Sequence, residues 1–276
     1  MTMYADLDGK VAVITGSGRR KGLGEAIAWR LGKEGCKIVL ADIGKATNQY
    51  LPTESIGTSE EMEAIANEMR EAGIEVKTSV CNVLEENDVE ALAKLAKETF
   101  GSLDIWVNNA GVGYLMTALV DTPADEWDTV LGVNLRGVFL GIKHAGRIMQ
   151  AQGHGRIINI GSQASKSAFA EAGAYTTSKH GVVGLTRVAA KELGAHGINV
   201  NAVCPNHVTT GLGAWQNQRF AGGDMENYMA QMRARIPLGR PGLQEDTAKA
   251  CAFLCSEQSV YITGECMNVS GGEEYH

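Results

Sequence analysis

Short runs rich in Val, Ile and Ala recur along this chain, separated by longer stretches of helical periodicity. A strand that is apolar on both faces must be covered on both faces, which requires a parallel sheet flanked by helices. "KVAVITG" (10–16) reads as the first strand and "GLGEAIAWRLGKEG" (22–35) as its helix. "KIVLAD" (37–42), "EVKTSV" (75–80), "LDIWVNNAG" (103–111), "GRIINIGS" (155–162), "GINVNAVCP" (197–205) and "GECMNVSGG" (264–272) read as the strands that follow. Helical patterns fill most of the intervals, including one expected as a single long helix over about 125–150. Two stretches stand outside the alternation: a polar insertion at about 43–58 and a Met- and Gly-containing loop at about 206–238. The expectation is one α/β domain spanning 1–276, a single Rossmann-like doubly wound parallel sheet with helices on both faces.

"TGSGRRKGLG" (15–24) leaves the first strand and opens the first helix. Glycines there let the backbone approach a pyrophosphate, which the helix N-terminus attracts with its free N–H groups. Gly16, Gly18, Gly22, Leu23 and Gly24 are therefore expected to bind a dinucleotide, although their spacing differs from GxGxxG. Asp42 ends the second strand, where an acid commonly receives ribose hydroxyls. A 2′-phosphate in that place would meet like charge, at a cost of about 4 kcal/mol for 4 Å and an effective dielectric of 20. NAD is thus expected over NADP, with Arg19, Arg20 and Lys21 arguing the other way because arginine grips phosphate.

"YTTSK" places Tyr175 and Lys179 four residues apart, one above the other on a helix face. A phenol is a poor acid at neutral pH, and an adjacent cation favours its phenolate. Such a pair is either a surface contact or a device for moving a proton.

With "TGSGRRKGLG", "NNAG" (108–111), "GVNLRG" (132–137), "NIGS" (159–162), "YTTSK" (175–179) and "NAVCP" (201–205) in this order, the chain resembles the short-chain dehydrogenase/reductases from about Gly9 to Gly272. That resemblance implies a nicotinamide-dependent oxidoreductase acting on alcohols or carbonyls, assembled as a homotetramer or homodimer. It implies that Tyr175 is the acid/base and that Ser162 orients the substrate oxygen. Lys179 would bind nicotinamide ribose and lower the Tyr175 pKa, and Asn134 would hold a water on the proton path. Asn108, Ala110 and Gly111 would line the adenosine side or steady the central sheet, with Asn82 and Val83 near the adenine. Pro205, Val208 and Thr210 would contact the nicotinamide carboxamide. The chain departs from the family pattern in its longer glycine loop, in Asn82 where an Asp is usual, and in Asn206 after Pro205.

Tyr114, Gln163, Phe169 and Trp215 are expected to line the substrate wall, and the 206–238 loop offers further aromatic and Met side chains, among them Phe220, Met225 and Tyr228. His207 is a candidate pocket residue. The mixture suits a moderately apolar secondary alcohol or ketone. The net charge of −7 and pI near 5.4 argue against nucleic-acid and anionic-lipid partners. No apolar run reaches membrane-spanning length, and no signal peptide is evident, so a cytoplasmic protein is expected. Six scattered cysteines without a CxxC pair are expected to be isolated buried thiols, and no metal-ligand spacing appears. The leading function is an NAD-dependent secondary-alcohol dehydrogenase. The alternatives are an NADPH-dependent ketone reductase and a dinucleotide-sensing or scaffold protein that has lost turnover.

Overall fold

The computed structural model describes residues 2–51, 56–113, 115–208 and 222–275. Seven parallel strands form one sheet: β1 (Val11–Thr15), β2 (Lys37–Asp42), β3 (Val76–Val80), β4 (Ile105–Asn108), β5 (Gly155–Ile160), β6 (Ile198–Pro205) and β7 (Cys266–Val269). Their order is β3-β2-β1-β4-β5-β6-β7, each strand joined to the next in sequence by a crossover. Register is fixed by burial: Val13 lies between Val39 on β2 and Trp106 on β4, all three buried. A slip by one residue would exchange the two faces.

The α-helices among the described residues are α1 (Leu23–Lys33), α2 (Ser59–Glu71), α3 (Glu86–Phe100), α4 (Ala124–Leu131), α5 (Gly137–Gln152), α6 (Gly173–Leu193), α7 (Met225–Arg235) and α8 (Gln244–Cys255). Side chains alternate across each strand. Ala12 and Ile14 of β1 therefore pack with Ile27, Leu31, Met69 and Cys251 on one face. Val11 and Val13 pack with Leu92, Leu140, Met149 and Ala189 on the other. All six cysteines are buried and unpaired, and burial pushes the Cys251 thiol up to about 12. They act as small core hydrophobes.

The stretch 125–150 is not one regular helix. A π turn at Gly132–Arg136 separates α4 from α5 without breaking the chain direction. Its cause lies in the packing of two glycines and an amide. A Cβ on Gly132 or Gly137 would press on Leu84 or Val83 at 2.7 and 3.0 Å, and the Asn134 side chain is drawn inward. Such widened turns occur frequently at functional sites.

A buried polar chain ties the sheet to α6. Trp106 Nε1 donates to Asn108 Oδ1 at 2.7 Å, Asn108 Nδ2 to Asn159 Oδ1 at 2.8 Å, and Asn159 Nδ2 to Thr186 Oγ1 at 2.9 Å. Thr186 donates onward to the Val182 carbonyl at 2.7 Å. Each member satisfies the next, so the chain specifies how α6 sits on the sheet. Thr186→Val leaves the Asn159 amide unsatisfied and is expected to destabilise the fold by about 1–3 kcal/mol, read as a lower denaturation midpoint at unchanged m-value.

Candidate active site

The strand order reverses between β1 and β4, which opens a crevice beyond Thr15 and Asn108. The first helix end at this crevice lacks a side-chain cap: Gly22 is the N-cap residue of α1, so backbone N–H groups of its first turn face outward. The glycines here are dictated by close approach. Gly16 has φ +66, and a Cβ there would lie 2.6 Å from Ala110 Cα; one on Gly24 would strike the Gly16 carbonyl. The Asn109 amide fastens the β4 end to the loop, donating to the Thr15 and Gly16 carbonyls at 2.8 Å each. Uncapped helix amides behind a glycine cradle fit a pyrophosphate.

Asp42 stands beside this loop, 9% exposed, with Oδ2 accepting from Gly18 N and Oδ1 from Ile43 N, both at 2.8 Å. Burial pushes its carboxyl up and those two amides hold it down. Arg20 forks onto Glu68 at 2.6 and 3.0 Å. The Asn82 Oδ1 accepts from Leu84 N at 3.1 Å, which turns its amide NH2 to the outside of that local turn. The described residues of the insertion at about 43–58 reach this end of the crevice. Leu51 is buried against Val112 and Val133, a Gly57 Cβ would collide with the Gly18 carbonyl, and Asn48 Nδ2 donates to Thr129 Oγ1 at 3.2 Å.

The Asn108 side chain steadies the sheet, both ends of its amide being held in the buried chain described above.

Further along, α6 brings Tyr175 and Lys179 under the carboxyl end of β5. The Tyr175 phenol is hydrogen-bonded to the Ser162 hydroxyl and packs with Val130, Ala164 and, at its edge, Leu115 and Phe169. Ser162 follows β5 in extended conformation and caps a short turn, its Oγ accepting from Ala164 N at 3.1 Å. The Lys179 ammonium lies 5.7 Å from the Tyr175 ring centroid and donates to the Ile160 carbonyl at 2.8 Å. Gly111 lines the gap beside it, where a Cβ would stand 3.3 Å from Asn134 Oδ1 and 3.9 Å from Lys179 Nζ.

Without a bound dinucleotide, burial pushes the Tyr175 phenol up, with the Ser162 hydrogen bond opposing, and burial lowers Lys179 to about 8. The cause is desolvation, which disfavours the charged form of each group. The Asn134 amide is buried, accepting from Val112 N at 2.7 Å and donating to the Val112 carbonyl at 2.9 Å and Ser178 Oγ at 3.2 Å. Its two N–H donors are thus engaged, and its Oδ1 keeps one lone pair beyond the bond from Val112 N.

Pro205 ends β6, and Val208 pairs with Gly242 in an isolated bridge. Tyr114, Thr210, Trp215 and Phe220 lie outside the described residues. In the described part of the 206–238 loop, Tyr228 and Met232 of α7 are buried with Ile236, while Met225 is exposed. Sequence reasoning passed over the carboxyl tail. Gly271 and Gly272, at φ +65 and +92, turn it back toward the crevice. Glu273 then binds Arg235 at 2.7 Å and the Asn206 side chain, with His207 Nε2 at 3.7 Å. Glu274 binds Gln163 and Ser167. The visible signal was the terminal "GGEE". Among the described residues, no cluster could hold a metal ion, and no helix is long and apolar enough to cross a membrane.

A family model described as enoyl-(acyl carrier protein) reductase matches residues 16–274. The chain is similar to the short-chain reductase protein NovJ of Streptomyces niveus, at 36% identity over 95% of this chain and 93% of the relative. In structure it is similar to an NAD+-bound xylitol dehydrogenase, with TM-score 0.84, 31% identity and coverage of 96% and 99% of the two chains. It is equally similar to a gluconate 5-dehydrogenase of Burkholderia cenocepacia in complex with NADP and tartrate, with TM-score 0.84, 31% identity and coverage of 98% and 97%.

Proposed function

Because the chain belongs to the short-chain dehydrogenase/reductase family, we propose that it transfers hydride between NAD(H) and a secondary alcohol or ketone, with Tyr175 as acid/base. The observation that carries this reading is the Tyr175–Ser162 hydroxyl pair, buried beside Lys179 at the carboxyl end of β5. A bound nicotinamide dinucleotide supplies the hydride acceptor or donor. Around it, this chain would have the α1 N-terminus and the glycine loop hold the pyrophosphate. Asp42 and the turn at Asn82 and Val83 would meet the adenosine, and Pro205, Val208 and Thr210 the carboxamide.

Ser162 would donate a hydrogen bond to the substrate oxygen and hold it against the phenol. In oxidation Tyr175 receives the alcohol proton; in reduction it returns one to the forming alkoxide. Lys179, protonated beside the phenol and joined by an oxidised nicotinamide, would favour the phenolate that burial disfavours. Asn134, in the π turn at Gly132–Arg136, would hold the water expected there, its Oδ1 keeping one lone pair beyond the bond from Val112 N.

For the cofactor, NAD is supported by a buried Asp42 and by the commitment of Arg20 to Glu68. NADP as the alternative is supported by Arg19, which lies near enough to Asp42 to lower its pKa. Wild type should show a higher kcat/KM with NAD than with NADP, and Asp42→Ala should narrow the ratio by about tenfold or more as the like-charge term is removed. A wild type that prefers NADP would reject the assignment. For assembly, a homotetramer or homodimer follows from family resemblance, and a stable monomer in sedimentation at micromolar concentration would contradict it.

A further inference from the structure

The residue after Ser162 is fixed in an unusual way. Gln163 is buried, with 7% of its surface exposed, and its Nε2 donates to Glu274 Oε2 at 2.8 Å. A carboxylate accepts and does not donate, so it fixes which end of the amide faces it. The Gln163 Oε1 must therefore point away from the tail, and no donor among the described residues reaches it. Glu274 is itself held in place: its other oxygen binds the Ser167 hydroxyl, its carbonyl accepts from Asn268 Nδ2 and Ser270 Oγ at 3.2 Å each, and its N–H meets Ser270 Oγ at 3.3 Å. The left-handed glycines before it deliver the tail to this spot. A Cβ on Gly271 would lie 2.6 Å from Ile236 Cγ2.

We propose that Gln163 is a specificity-determining residue whose side-chain carbonyl, oriented by Glu274, accepts a hydrogen bond from a second hydroxyl of the substrate beside the reacting carbon. The substrate class is then a neutral diol or hydroxy ketone rather than a simple secondary alcohol. This rests on the hydride-transfer reading above. Adjacent residues are 3.8 Å apart at Cα, so an acceptor one position after Ser162 lies within reach of a group on the carbon next to the one that reacts. A site built to accept from a hydroxyl rejects the analogue lacking it, because its own polar atom is then left unpaired. Glu274 is a positioning residue here: it touches Gln163 and need not touch substrate.

The test compares matched pairs, butane-2,3-diol with butan-2-ol and cyclohexane-1,2-diol with cyclohexanol, by kcat/KM with the preferred cofactor. Wild type is expected to favour the diol of each pair by about tenfold or more, the worth of one well-made hydrogen bond. Gln163→Met should bring that ratio close to one, mainly by loss on the diol. Glu274→Ala should lower the ratio part of the way through the diol KM, and adding it to Gln163→Met should lower it no further. Glu274→Ala also serves if Gln163→Met fails to fold, since it alters the tail and not the sheet. Equal turnover of both members by wild type, or a ratio unmoved in the variants while both rates fall together, would overturn this inference alone. Turnover of no member of either pair with either cofactor would overturn it together with the hydride-transfer reading.

Discussion

Tyr175→Phe is expected to lower kcat/KM by about 10²–10⁴-fold while leaving cofactor affinity nearly unchanged. The substitution removes one oxygen from a buried site and keeps the ring that packs against Val130 and Ala164. What is lost is the group that moves the proton at the substrate oxygen, and with it the hydrogen bond that orients the Ser162 hydroxyl. Burial pushes the free phenol up, so in oxidation the rate should climb with pH until the phenolate of the loaded enzyme is fully formed. In the Phe variant that climb should vanish together with the rate. A variant with full turnover and the same pH profile would remove Tyr175 from the chemistry.

Lys179→Met should separate activity from stability. Lys179 is 5% exposed, and burial lowers its ammonium pKa from 10.5 to about 8. Below about pH 8 both folded and unfolded chains carry the proton, and the folded state bears the whole desolvation cost. Between about 8 and 10.5 the unfolded chain still holds a proton that the folded chain has released, so stability rises with pH across that window and levels off above it. At 1.36 kcal/mol per pKa unit the cost near neutrality is about 3 kcal/mol. It is partly offset by the hydrogen bond to the Ile160 carbonyl, which Met cannot make and which is worth about 1 kcal/mol. The cofactor-free Met variant should therefore be more stable than wild type at pH 7 by about 1–2 kcal/mol, with the gain shrinking as pH rises above 8. Its turnover should fall by about 10²-fold or more, since the cation that favours the phenolate is gone. Thermal denaturation at pH 7 and 10, run beside steady-state kinetics, measures both. A variant less stable than wild type at pH 7 would show that the ammonium is not held at a cost.

The frame of the fold was legible because parallel strands buried on both faces leave continuous apolar runs, as in "KVAVITG" and "GRIINIGS". The pair on α6 was legible because helical spacing alone places Tyr175 beside Lys179. Three features were hidden for different physical reasons. The π turn at Gly132–Arg136 does not change hydrophobic periodicity enough to be seen, and only the inward amide of Asn134 reveals it. The direction of the Tyr175 shift depends on how dry the crevice is, which spacing does not encode. The contact between Glu274 and Gln163 joins residues 111 apart, and no local pattern foretells a contact of that range. For Asn108 the motif left two roles open, adenosine or sheet, and its side chain is tied into the sheet through Trp106 and Asn159.

The most direct measurement is the absorbance of reduced nicotinamide when purified wild-type protein, NAD+ and a panel of secondary alcohols and diols are mixed, with the reverse reaction run on the matching ketones. The account predicts that the band appears with at least one neutral alcohol or diol and fails to appear with Tyr175→Phe at the same concentration. Protein that binds dinucleotide but changes the band with no alcohol or ketone, with either NAD or NADP, would contradict it and identify a dinucleotide-binding chain without turnover.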